Sequence, residues 1–417
     1  MFAENDFSVF DFVYSIAEII DLVSSDLNNH HKKVAYISYR LAKEMNLPDD
    51  EVSDIFLAAK LHDIGAFTNE ERLQIKMALF EDSAFDQHSV MGYKLLEKFE
   101  PLREVAILIK NHHAYYNESS YEIPKGSYVI HLADRLSVLL DDRIEVLCQI
   151  PKIMRQIDHN QSIFHPDALA ALRRLAKLEY FWIEACSLPV YYDLMEKMRF
   201  PKRTIDLETL RDFAKVIANI IDFRSRFTST HSSGVAAVAL ELTTISGFSK
   251  RECKLMEIAG FLHDLGKLAI SNDILEKNGA LTDGEFNEMR KHSYYTYVVL
   301  NKIRGLEQIS TWAAYHHERL NGNGYPFHVK GEDFSKLARI MAVADIVTAI
   351  TEDRPYRPGM NSEEAIRILA DMVENGSIDK GTVEIVKENF SRINDVRIKA
   401  QQNAMQEYIA SRNTLVT

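Results

Sequence analysis

The sequence predicts an all-α chain: two tandem helical bundles joined by a helical linker. Three observations carry that expectation. Apolar residues recur at spacings of three and four through most of the 417 residues, and runs of alternating β-branched residues are scarce. Helix-start signatures stand ahead of several of these stripes. One pattern of histidines and aspartates occurs twice, once in each half, in the same order.

A chain of this length favours two domains over one, and a 46% apolar, 26% charged composition suffices for two cores. Leu255, Ile258, Ala259 and Leu262 form one apolar stripe. Ser249 and Glu252 precede it as a capping-box pair, and Thr282 and Glu285 repeat the signature before another helix. The stretch RFPKRTIDLETL (199–210) reads as the seam: a short basic loop, a helix start at Asp206, then an amphipathic helix to about Asp222. The expected domains are therefore 1–198 and 199–417. A solvated hinge is the plainer reading of the seam; a dimerising helix, giving a homodimer, is the other.

With 49 basic and 61 acidic residues the net charge is −12, and the basic residues are scattered. A nucleic-acid polymer is not an expected partner, because its binders carry a basic stripe. An anionic ligand would need local cations or metals to hold it against the overall field. The three cysteines (Cys148, Cys186, Cys253) are isolated, which suits a reducing compartment. No apolar run approaches the ~18 residues of a membrane span, and MFAENDFSVFDF has no basic start of a secretory signal. The cytoplasm is the expected address.

The repeat is the most informative feature. His231, His263-Asp264, His292, His316-His317 and Asp345 in the second half match His30, His62-Asp63, His88, His112-His113 and Asp134 in the first. The first interval is 32 residues in both halves and the third is 24 in both; the second is 29 against 26, and the last 28 against 21. Flanking residues agree as well: AGFLHDLG against AAKLHDIG, and VAD against LAD. A lone buried histidine is more often a core residue than a ligand. Five imidazoles and two carboxylates recurring in register are not explained by packing. That donor set suits Fe, Mn, Zn or related ions better than Ca or Mg. One carboxylate among several imidazoles is what a two-metal hydrolytic site requires, with ions ~3.5–4 Å apart sharing a water.

HDLGK (263–267), HHERLNGNGYP (316–326), VAD (343–345) and RPYR (354–357), in that order, resemble the HD-GYP branch of the HD phosphohydrolase superfamily over roughly residues 205–400. The first half resembles a plain HD domain without the GYP segment. Members of the branch hydrolyse cyclic di-GMP or related cyclic dinucleotides. The resemblance implies two divalent transition-metal ions, Fe or Mn, bridged by Asp264. His231, His263 and Asp345 would complete one shell, and His292, His316 and His317 the other. Lys267 would reach the scissile phosphate as a compact cation, Tyr325 would be offered by the tight NGNGYP turn, and Arg354 and Arg357 could clamp a phosphate oxygen. Three positions depart from the branch: Asn321 replaces its usual aspartate, Thr296 replaces a glycine, and Phe227 stands where some members have a third-metal glutamate.

The function implied is hydrolysis of a cyclic dinucleotide, cyclic di-GMP or 3'3'-cyclic GMP-AMP, by a metal-bound hydroxide. A hydrolase of another nucleotide and a catalytically silent receptor are the alternatives; the GYP and RPYR motifs weigh against the first, Lys267 and the full ligand set against the second. The N-terminal copy keeps His30, His62, Asp63, His88, His112, His113 and Asp134 as a second metal set, but has Ala66 in place of Lys267. A metal-bound regulatory module is its first reading, a metal-free bundle the second, an independent phosphohydrolase the third. His30, not His31, keeps the register, because Val34-Ala35 then match Val235-Ala236.

Overall fold

The computed structural model describes residues 7–20, 29–66, 87–119, 122–187, 203–223, 230–353 and 358–413. Nineteen α-helices account for most of them, and the one sheet among the described residues is a two-residue pairing. The chain forms two compact units, one of residues 24–203 and one of residues 1–23 together with 204–417. The opening segment, placed by sequence position with the N-terminal domain, thus packs with the C-terminal unit. Strand β1 (Phe7–Ser8) pairs antiparallel with β2 (Thr204–Ile205) at the expected seam. Helix α1 (Val9–Ile20) follows β1 and buries Phe12, Val13, Ile16, Ala17 and Ile19. The Phe12 ring lies 4.8 Å from that of Phe213. An apolar face this continuous is stable only against another, at about 25 cal/mol per Å² buried, and proximity in the chain does not decide which.

The 24–203 unit holds α2 (His30–Glu44), α3 (Asp49–Leu61), α4 (Gln87–Leu96), α5 (Arg103–Lys110), α6 (Lys125–Leu139), α7 (Val146–His159), α8 (Pro166–Leu175) and α9 (Glu179–Ala185). α2 packs on α3, α6 and α8, and α5 on α3 and α4.

The other unit adds α10 (Leu207–Phe223), α11 (His231–Ile245), α12 (Lys250–Leu262), α13 (Asn272–Leu275), α14 (Asp283–Leu300), α15 (Glu307–Ala314), α16 (Lys336–Thr351), α17 (Ser362–Glu374), α18 (Lys380–Glu388) and α19 (Phe390–Asn413). Both expected capping boxes form, Ser249 with Glu252 and Thr282 with Glu285. α11 is the centre, packed on α12, α16 and α19. The duplication is visible in three dimensions: α2, α3, α4, α5 and α6 bring the same ligand positions as α11, α12, α14, α15 and α16. No helix among the described residues is long and apolar enough to cross a membrane.

Candidate functional site

The histidines of the C-terminal unit are aimed by the backbone just before them. His263 Nδ1 donates to the Gly260 carbonyl (2.8 Å), His292 Nδ1 to Met289 (2.6 Å) and His316 Nδ1 to Ala313 (2.6 Å). Each partner is three residues upstream, and for His263 and His316 it is a carbonyl of a helix's last turn, which lacks a helical donor. Because a carbonyl only accepts, the proton of each neutral ring is on Nδ1 and the lone pair of Nε2 faces inward. His292 Nε2 and His316 Nε2 then lie 3.2 Å apart. Burial pushes His292 down to about 4 and His316 to about 3, so neither carries a bridging proton at neutral pH. Two inward lone pairs at that distance, one of them also 3.2 Å from the Ser293 hydroxyl, fit a shared cation.

Asp264 stands between the groups. Its Oδ1 is 3.4 Å from His292 Nε2 and 3.9 Å from His316 Nε2, while its Oδ2 is 3.2 Å from His263 Nε2. The donor atoms of His231, His263 and Asp264 lie within 4.8 Å of one another, as do those of His292, His316 and His317. Asp345 meets both groups, Oδ1 lying 3.2 Å from His231 Nε2 and Oδ2 3.8 Å from His317 Nδ1. One carboxylate with an oxygen toward each cluster is the arrangement of a two-ion site. All seven expected ligands converge.

The turn after Asp264 is set by a close approach. A Cβ on Gly266 would lie 1.8 Å from the His292 carbonyl oxygen, and one on Gly65 2.1 Å from that of His88. Thr296 is fully buried beside this turn: its Oγ1 accepts from Gly266 N (2.9 Å) and donates to the His263 carbonyl (3.1 Å). The threonine therefore ties α14 to the His-Asp turn.

Lys267 Nζ donates to Asp264 Oδ2 at 2.6 Å. Burial opposes its charge, but Asp264 outweighs this and leaves the lysine raised. Tyr325 lies above the second group, its ring 4.8 Å from that of His317 and the Arg290 guanidinium 5.0 Å from its centroid. Burial and the carboxylates of Asp345 and Asp264 raise its phenol, which stays protonated. Arg354 and Arg357 lie outside the described residues, as does Phe227.

Three residues that the sequence reading did not single out as site residues complete the arrangement. Glu352 Oε2 accepts from His231 Nδ1 (3.1 Å) and from Gln401 Nε2 of α19 (3.1 Å). Burial lowers His231, but Glu352 and then Asp345 outweigh it and lift this imidazole to about 10. A carboxylate on the outer nitrogen of a ligand histidine fixes its orientation and raises its basicity. Its sequence signal was the interval of seven from Asp345, two turns on one helix face. Glu318, fully buried, accepts from the amides of Phe327 (2.7 Å), His328 (3.2 Å) and Val329 (3.1 Å), folding the GYP loop back on the histidine pair. A Cβ on Gly324 would lie 2.4 Å from Glu318 Cα, so the loop needs glycine there. Asp222, raised to about 7 by burial, receives both the amide (3.0 Å) and the hydroxyl (2.8 Å) of Ser232 and anchors the start of α11.

The 24–203 unit builds the same arrangement. His62 Nδ1 donates to Ala59 O (2.9 Å) and His112 Nδ1 to Ile109 O (2.7 Å). His88 Nε2 lies 3.3 Å from His112 Nε2 and 3.1 Å from His113 Nε2. Asp63 directs Oδ1 at His88 (3.4 Å) and Oδ2 at His62 (3.3 Å), and His30 Nε2 lies 3.2 Å from Asp134 Oδ1.

Two family patterns, each described as an HD domain, match residues 28–139 and 215–381. This chain is a tandem HD-domain protein. Each HD domain spans one of the two histidine–aspartate clusters. The HD protein is 28% identical to the 3'3'-cGAMP-specific phosphodiesterase 1 of Vibrio cholerae serotype O1, over 90% of either chain. It is 24% identical to phosphodiesterase 3 of the same name and organism, over 88% of this chain and 91% of that one. A cyclic di-GMP phosphodiesterase of Pseudomonas aeruginosa is 40% identical over 37% of each chain. A solved cyclic GMP-AMP specific phosphodiesterase of V. cholerae superposes with a TM-score of 0.63 at 19% identity, covering 96% of this chain and 98% of that one, so the fold is shared along the whole length.

Proposed function

We propose that this HD protein is a metal-dependent phosphodiesterase that hydrolyses a cyclic dinucleotide, with its reaction centre in the C-terminal unit. The observation that carries this reading is Asp264, one oxygen toward each imidazole group and the Lys267 ammonium 2.6 Å from Oδ2. His231, His263, Asp264 and Asp345 would hold one divalent ion, and His292, His316, His317 and the other Asp264 oxygen a second. Imidazole with carboxylate suits Fe, Mn, Zn or related ions, and the resemblance to the HD-GYP branch makes Fe or Mn the first to test. When bound, such ions supply an acidified water and neutralise charge on the phosphate.

The chain's own residues do the rest. Lys267 turns from Asp264 to a non-bridging phosphate oxygen, adding a cation beside the reacting centre. Tyr325 keeps its proton and donates from above. Arg290, over the Tyr325 ring, adds positive charge to the mouth of a site in an otherwise acidic protein. Two relatives that align along nearly the whole chain are named for 3'3'-cGAMP, which makes that dinucleotide the first substrate to test.

The experiment is turnover of 3'3'-cGAMP and cyclic di-GMP by Fe- or Mn-loaded protein. Cleavage of at least one is expected, and His263→Ala or Asp264→Ala abolishes it with helicity retained. Undiminished turnover by either variant would refute the assignment.

A further inference from the structure

Among the differences between the two histidine–aspartate centres is a buried position beside the first histidine. With His30 matched to His231, the next residue is His31 in the N-terminal unit and Ser232 in the C-terminal one. Ser232 turns its hydroxyl away, to Asp222. His31, 2% exposed, turns inward: its Nε2 is 3.7 Å from Asp63 Oδ2, and its ring lies 5.2 Å from that of His62 and 5.5 Å from that of His30. Asp63 Oδ2 is the counterpart of Asp264 Oδ2, the oxygen that receives Lys267. The lysine position in this unit is Ala66, which is fully buried. The same carboxylate oxygen therefore faces an ammonium in one unit and an extra imidazole in the other.

The donor atoms of His31, His62 and Asp63 lie within 4.8 Å of one another, and so do those of His30, His62 and Asp134 and those of His88, His112 and His113. Independently, His62 Nε2 and Asp63 Oδ1 are buried with no hydrogen-bond partner. A buried polar atom left so is costly unless something binds it. Arg135 Nη2 donates to Asp134 Oδ2 (2.5 Å), leaving Oδ1 as the inward oxygen.

We propose that the N-terminal unit holds a metal centre in which His31 is an additional ligand, on the face of the bridging aspartate that the C-terminal centre gives to Lys267. The proposal rests on reading that unit as the metal-bound, non-hydrolytic partner of the C-terminal centre. A further imidazole tightens retention and fills a coordination position that a reacting water needs, and hydrolytic sites keep such a position open whereas structural ones close it. With Ala66 where the C-terminal centre has Lys267, the centre keeps its metal but lacks the cation that would hold a phosphate there.

The test uses the full-length chain carrying His263→Ala and Asp264→Ala, which disables the C-terminal centre. After chelator stripping, it is loaded with Mn²⁺ alone, and bound Mn is measured by elemental analysis and chelator competition. This chain is expected to retain Mn. Adding His31→Ser should weaken retention by about tenfold or more, since changing even a partner of a ligand typically costs that much. Co²⁺-loaded His31→Gln in the same background gives a second readout, a changed visible absorption band, should the serine variant lose helicity. No Mn in the disabled chain would overturn the proposal. So would unaltered Mn retention in a folded His31→Ser chain, or an unaltered Co²⁺ spectrum in His31→Gln. Since none of these measurements needs turnover, their failure is separable from failure of the phosphodiesterase reading.

Discussion

Replacing Glu352 with glutamine tests how the metal-facing histidine of α11 is held. Glu352 is 5% exposed; it accepts from His231 Nδ1, the ring nitrogen opposite the one facing Asp345, at 3.1 Å, and from Gln401 Nε2 at 3.1 Å. Glutamine preserves shape, and its carbonyl oxygen can stand where Oε2 receives both donors, but it removes the negative charge that strengthens those contacts. Changing an outer partner of a ligand histidine typically costs 10–100-fold in metal affinity or activity, about 1.4–2.8 kcal/mol. The alanine variant does more: it strands two buried donors, each at roughly 1–3 kcal/mol of folding stability. The assay is Mn²⁺ affinity by chelator competition, alongside kcat at saturating metal and a thermal unfolding curve. Glu352→Gln should lose metal affinity with only a small change in Tm, and Glu352→Ala should lose both. If Glu352→Gln binds Mn²⁺ within twofold of the parent while remaining folded, Glu352 does not position His231 and the argument fails.

Glu318→Gln should lower stability by about 2 kcal/mol, because an amide nitrogen would face one of three backbone N–H groups now held by a charged acceptor. KM should rise as Tyr325 is displaced, and thermal unfolding with steady-state kinetics would detect both. In metal-free protein, burial holds His62 and His292 down at about 4 and His316 at about 3. These imidazoles are neutral when folded but take up protons when unfolded below about 6.5, so stability is whole above that pH and lost as pH falls toward 4, on the order of 3 kcal/mol per imidazole. His231 works oppositely: raised to about 10, it contributes fully below 6.5, and the contribution fades as pH rises toward 10. Denaturant titration of chelated protein should therefore find greatest stability between these limbs, and an acid limb that stayed flat would contradict the burial of these rings. Gly266→Ala should displace the turn carrying Asp264, since its Cβ would meet the His292 carbonyl at 1.8 Å; elemental analysis should find less bound metal than in the parent.

Much of the candidate centre was legible because the histidines and aspartates that converge in it belong to a register. Two copies of one spacing identified His231, His263, Asp264, His292, His316, His317 and Asp345, and local rules placed the capping boxes at Ser249 and Thr282. Even the aim of His263 and His316 is local, each ring bound to a carbonyl three residues back. What needed the tertiary structure are partners with no fixed interval. Glu352 meets His231 across 121 residues because α16 crosses α11, and Gln401 joins them from α19. The attachment of α1 to the C-terminal unit is of the same kind, since its apolar face could have been buried on any complementary surface. The inward turn of His31 was also undecided, because a histidine beside a ligand position can face either way around the helix. Sequence spacing carries side-chain direction only within one element; how helices cross decides which distant groups share a cation or a proton.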